Sequence, residues 1–147
     1  MLLLVPVDGS LAGMDSVRHV WTLARQGLDV QVLLANVQDG PHLYEVVLAH
    51  DADLLAGASH DAGEHVLAPA MALLRSSKVP VRGEVLIGEP GHQLVDLAER
   101  EQCHGIVMGS QGVGLLGGAR LGSVCQWVLL HASVPVTIVR HAAPDTD

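Results

Sequence analysis

Six of the fifteen residues in Gly109-Ser110-Gln111-Gly112-Val113-Gly114-Leu115-Leu116-Gly117-Gly118-Ala119-Arg120-Leu121-Gly122-Ser123 are glycine. The stretch follows the apolar run Ile106-Val107-Met108, which reads as a buried strand, and precedes Val124-Cys125-Gln126-Trp127-Val128-Leu129-Leu130, which reads as the first turns of a helix. Glycine has no Cβ, so successive residues can turn their amides toward one concave point. A helix start adds unpaired N–H groups and the positive end of its dipole. Such a loop is a receptor for an anion, phosphate foremost. The amides around Gly112 and Gly122-Ser123 would hold it, with the Ser123 hydroxyl as an added donor. Arg120 either supplies charge there or points to water. Asp8, in Asp8-Gly9-Ser10, is the second chemical group of interest. Its carboxylate can accept from hydroxyls of a ligand or approach a phosphate-bound Mg²⁺, or it can simply build the turn with Gly9 and Ser10.

Other chemistries fit less well. A Walker A loop ends in Gly-Lys-Ser/Thr, and Lys78, the single lysine, is far from any glycine loop. A dinucleotide fingerprint belongs after the first strand, where Asp8-Gly9-Ser10 stands. Gly112-Val113-Gly114-Leu115-Leu116-Gly117 matches that pattern only in a later loop. Among nine histidines, His60 and Glu64 would share a helix face, which reads as solvated surface before it reads as a metal site. No spacing of Ser, His, Asp or Cys marks a nucleophile. Catalysis beyond slow hydrolysis of a bound phosphate ligand is not indicated.

The elements that must position these groups follow from periodicity. Leu2–Val7 is a strand, and Ser10 N-caps a helix whose Val17, Val20, Trp21 and Ala24 form one stripe, closed by Gly27. Asp29–Val37 is a second strand. Gln38 to about Ala58 has no clear period and reads as a mobile or partner-facing connection, overlapping the His-rich segment 42–65. Val66, Leu67, Ala70, Met71 and Leu74 mark a helical face, with Pro69 implying either a kink near His65 or a new helix start. Pro80–Gly88 is a third strand, Pro90 opens a helix with Leu94, Leu97 and Ala98 inward, and Gly105–Met108 is a fourth strand. A last helix spans Ser123–His131, Val134–Val139 is a fifth strand, and 141–147 is a frayed tail. Alternating strands and helices predict an open α/β sheet that binds ligands beyond its carboxyl ends, where the strand order reverses.

Composition agrees. A chain of 147 residues fits one domain, residues 1–147, and nearly half of it is apolar with only Trp21, Trp127 and Tyr44 aromatic. An aliphatic core favours a parallel sheet covered on both faces. A formal charge of −8 with eight basic residues argues against a nucleic-acid surface. No segment has the apolar length of a membrane span or the basic flank of a signal peptide, and Cys103 and Cys125 are too few for a disulfide framework. These features suggest a cytoplasmic protein.

The spacing Gly109-x2-Gly112-x9-Gly122-Ser123 resembles the ATP-binding branch of the universal stress protein family. Leu3-Leu4-Val5-Pro6-Val7-Asp8-Gly9-Ser10 and the run from Val128 to Arg140 resemble its first strand and its last helix and strand. The resemblance implies a Rossmann-like five-stranded parallel sheet of order 3-2-1-4-5 with helices on both faces. It implies binding of ATP, or ADP or AMP, with Mg²⁺ at Asp8. Pro6, Val7 and Val37 would line base and ribose, and Ser10, Met108, Gly109, Gln111, Gly112, Arg120, Gly122, Ser123 and Val124 would complete the site. Gln111 and Val113 flank Gly112 where many members carry Arg or His, and His104-Gly105 replaces a common Asp-Leu pair, which keeps AMP and ADP in contention with ATP. The implied function is a nucleotide-binding sensor or regulator in stress response, homodimeric through Val134–Val139. A dimeric interaction protein that binds no nucleotide is the alternative. A phosphoacceptor receiver domain lacks its acidic strand end at Ile87-Gly88 and its lysine at Val139-Arg140.

Overall fold

The computed structural model describes residues 1–39, 52–110 and 121–141. In chain order these form β1 (Leu2–Pro6), α1 (Leu11–Arg25), β2 (Gln31–Gln38), α2 (Ala52–Ser76), β3 (Val81–Ile87), α3 (Pro90–Arg100), β4 (Gly105–Gly109), α4 (Ser123–His131) and β5 (Val136–Val139). The strands make one sheet of order β3-β2-β1-β4-β5 with every neighbouring pair parallel. This is the fold class that the alternation of strands and helices predicts, and the order that the family resemblance implies.

A parallel sheet needs both faces covered, and the alternation of strand side chains divides the core accordingly. Leu3, Val5, Val32, Leu34 and Val107 face α1 and α2, where they meet Val17, Val20, Leu67, Ala70 and Leu74. Leu4, Leu33, Ala35, Ile106 and Met108 face α3 and α4 and meet Leu94, Leu97, Ala98, Cys125 and Val128. Full burial of each Leu or Val contributes about 1.5–3 kcal/mol, so the aliphatic strands carry the fold without aromatic bulk.

Two close approaches set the helix starts at the carboxyl edge of the sheet. A Cβ on Gly109, at the end of β4, would lie 2.7 Å from the carbonyl oxygen of Ala12, so backbone meets backbone where α1 begins. A Cβ on Gly91 would lie 2.2 Å from Trp127 Cδ1, so the first turn of α3 packs on the middle of α4. Trp127 is stacked on His131 with ring centroids 3.6 Å apart, and His92 tilts against it at 4.1 Å.

Some boundaries differ from the sequence reading. The helix around Pro69 neither restarts nor breaks; α2 runs from Ala52 to Ser76 with Pro69 inside it. Both Pro69 and His65 are exposed, so water can take the carbonyl that a proline has no N–H to meet. Ala52–Ala58, left unassigned by periodicity, belong to this helix, while 40–51 lie outside the described residues. β5 begins at Val136 rather than Val134; Pro135 accepts from Ile106 N at 2.9 Å but has no N–H to give. His141, assigned to the tail, bonds Asp15, which also holds Arg18 at 3.3 Å, and 142–147 lie outside the described residues. His60 and Glu64 pair with each other at 3.1 Å, and among the described residues no three His, Cys, Asp or Glu side chains gather for a metal. Among the described residues, no helix is long and apolar enough to cross a membrane.

Candidate functional site

β1 ends where the chain must leave the sheet for α1. The Ser10 N–H donates to Asp8 Oδ1 at 2.9 Å, and the Ser10 hydroxyl donates to the same oxygen while accepting from Gly13 N at 3.1 Å. Asp8 is therefore a turn-builder, and Ser10 is the N-cap of α1. That role leaves Asp8 on the cleft wall described below.

β2 outlasts β1, and this exposes backbone. The β1–β2 register ends at Pro6↔Ala35, followed by one further bond from Val7 N to Ala35 O at 2.8 Å. In a parallel ladder the next rung would run from Val37 N to Val7 O. That carbonyl instead accepts from the side-chain amide of Asn36 at 2.9 Å. Asn36 is itself held through its Oδ1 by Gln38 Nε2 at 2.6 Å. On the other side, Gly88 N bonds Gln38 O at 3.0 Å, so even-numbered residues of β2 face β3 and odd-numbered ones face β1. The donor and acceptor of Val37 are thus aimed at the space β1 has vacated.

Beyond β4 the glycine loop begins and returns at α4. Ser110 N donates to Val139 O at 3.1 Å, and Ser110 O accepts from Gly122 N at 2.7 Å, which ties the two ends of the 111–120 segment together. Gly122 is the N-cap of α4 and brings no side chain to cap it; the first intrahelical bond is Gln126 N to Gly122 O at 3.0 Å. The amides of Ser123, Val124 and Cys125 precede that bond, so they and the helix dipole are available to an anion.

These pieces line one cleft of about 580 Å³, within the ~300–1,000 Å³ range of small-molecule sites. It opens at the carboxyl edge where β1 and β4 adjoin and the chain order reverses. Of the residues singled out in the sequence, Pro6, Val7, Asp8, Ser10, Val37, Met108, Gly109, Gly122, Ser123 and Val124 line it together. Gln111, Gly112 and Arg120 lie outside the described residues. The sequence reading missed Gly13, Ala35, Asp39, Pro90, Leu94 and Cys125, which also line it. Ala35 and Asp39 were within reach, since they stand two residues either side of Val37 and share its face by strand alternation. Asn36 was not, because nothing in its type says that a neighbouring strand stops short.

The described walls carry two carboxylates, Asp8 and Asp39, and no Lys, Arg or His. Phosphate affinity at this end would come from main-chain N–H groups and the helix dipole. Asp8 together with phosphate oxygens is the oxygen set a Mg²⁺ ion takes. The Cys125 thiol is pushed up from its ordinary value by burial, so it is a wall and a poor nucleophile.

A five-stranded parallel sheet with a cleft at the point where its strand order reverses defines an open α/β class, and the comparisons narrow it. The model of the universal stress protein family matches residues 2–140, and the chain belongs to that family. Universal stress protein MJ0531 of Methanocaldococcus jannaschii is 26% identical over 138 residues, 94% of this chain and 81% of that one. The solved structure of hypothetical protein MJ0577 superposes with a TM-score of 0.84 at 24% identity, covering 97% of each chain. A universal stress protein family member from Arabidopsis thaliana, solved with AMP bound, superposes with a TM-score of 0.68 at 21% identity over 100% of this chain and 96% of that one.

Proposed function

We propose that this chain binds an adenine nucleotide in the cleft between β1 and β4, ATP with Mg²⁺ or ADP or AMP, and acts as a cytoplasmic sensor or regulator in stress response, not as a dedicated enzyme. One observation carries the reading. The uncapped start of α4 and the unladdered backbone of Val37 open into the same cleft, one suited to phosphate and the other to the edge of a base. Pro6, Val7 and Met108 offer apolar walls between them, and Asp8 offers its carboxylate to ribose or to Mg²⁺. The AMP-bound relative from Arabidopsis thaliana supports the choice of ligand class. Because the described walls add negative charge, Mg²⁺ matters more for ATP than for AMP. A homodimer through β5 belongs to the same reading, since that strand is an edge of the sheet.

The test is to denature purified protein, analyse the small molecules released, and titrate AMP and ATP with and without Mg²⁺. Expected are saturable binding of both and a larger loss for ATP when Mg²⁺ is withheld. No released nucleotide and no saturation at millimolar concentration would hand the cleft to the alternative, an interaction protein that binds no nucleotide.

A further inference from the structure

The residue at the end of β2 that the sequence reading passed over gives the cleft a second polar end. Asp39 follows Gln38, the last residue of β2, and lines the cleft on the same face as Ala35 and Val37. The start of α4 is held beside the end of β4 by the bond from Gly122 N to Ser110 O at 2.7 Å, and β2 and β4 flank β1 on opposite sides. Two strand spacings amount to about 9–10 Å, so the carboxylate and the anion-binding helix start stand at opposite ends of the cleft. A ligand filling both ends carries its anion at one extremity and a hydrogen-bond donor at the other. In a purine nucleotide those extremities are the 5′-phosphate and the substituent at position 6.

We infer that Asp39 selects the 6-amino group of adenine over the 6-oxo group of hypoxanthine and guanine. This rests on the nucleotide reading above and names what that site prefers. A carboxylate is an acceptor only. It takes an N–H from an amino substituent, whereas a carbonyl oxygen sets acceptor against acceptor with charge added. The Val37 N–H and C=O are fixed by the strand and read the same edge, so the Asp39 substitutions below isolate what the carboxylate adds to them. No cationic side chain among the described lining residues stands by to invert the preference. Asp39 is exposed at the cleft mouth, so the discrimination is of ordinary size, about tenfold, and far below that of a sealed pocket.

The experiment titrates AMP and IMP, which differ at this position and carry the same phosphate, into the native chain and into Asp39→Asn and Asp39→Ala. The native chain binds AMP about tenfold more tightly than IMP. Asp39→Asn, whose amide can present either a donor or an acceptor, brings the two within about threefold, chiefly by improving IMP. Asp39→Ala weakens AMP and narrows the ratio too. Equal binding of AMP and IMP by the native chain, or a preference that survives both substitutions, overturns the inference and leaves nucleotide binding standing. Failure of both nucleotides to bind the native chain removes the nucleotide reading itself, and this inference with it. Asp39 lies outside the core, and matching melting curves for the three proteins show that affinity changes are local.

Discussion

Asn36 is 3% exposed, and its amide occupies the Val7 carbonyl that the sheet would otherwise give to Val37. A buried polar side chain is retained where it satisfies a group that has lost its ordinary partner, and here the partner lost is a ladder rung. Substituting Asn36→Ala removes that donor and lets Val7 and Val37 close the ladder. Two readouts separate the consequences. Chemical denaturation should show a loss of about 1–3 kcal/mol for the buried hydrogen bond. AMP titration should show affinity falling about tenfold, since Val37 N–H is then engaged within the sheet. Stability loss with AMP affinity unchanged would make Asn36 a structural residue only.

At the scale of elements, the cleft depends on how closely α1 and β4 approach. Gly109→Ala places its methyl 2.7 Å from a main-chain oxygen of α1, and backbone cannot swing aside as a flexible side chain can. A destabilisation of about 1–3 kcal/mol is expected in thermal or denaturant unfolding, with weaker nucleotide binding because the Asp8–Ser10 turn shifts with α1. The other end of the sheet is held by charge. Arg82 on β3 donates to Glu101, just past α3, at 2.9 Å, and Arg100 donates to Glu84 at 2.6 Å. The hydrogen bond from Arg82 holds the Glu101 carboxyl below its ordinary value. A carboxyl lowered in the folded state stabilises above its unfolded pKa and loses that contribution as pH falls through its folded one. Glu101→Gln should therefore melt slightly below the native chain at neutral pH, the gap closing as the pH is taken beneath the carboxylate range. Because the pair is solvated, the gap is small and should also shrink with salt. A gap constant across pH would assign it to packing.

The molecule as a whole presents an edge. β5 has β4 on one side only, and its odd-numbered members bond to β4, as Val139 O does to Ser110 N. Val136 and Ile138 thus turn their N–H and C=O groups outward, and α4, just before the strand, leaves Leu130 80% exposed. Pairing of two β5 strands across a twofold axis would satisfy those groups and is the expected assembly. Light scattering at micromolar concentration should give twice the 15.4 kDa chain mass. Thr137→Lys, which puts a charge on an exposed edge position, should return a monomer with its melting curve little changed. A native chain already at monomer mass would discard the dimer without touching the nucleotide site.

Much of this was legible in the chain because it is written in local rules. Unbroken aliphatic runs fixed the strands, Ser10 and Pro90 marked helix starts, and the glycine spacing located the return at Gly122-Ser123. Pro69 left a restart and a kink both open, and the structure removes the restart, because a proline is accepted inside a helix where its orphaned carbonyl reaches water and that is decided by which way the helix faces. The three-dimensional arrangement alone decided that β1 stops one rung before β2, that Asn36 fills the missing rung, and that Asp39 lines the same cleft as the start of α4. Periodicity reports what a residue does for its own element. The site is made of what one element leaves unpaired for another, and that difference exists only once the strands lie side by side.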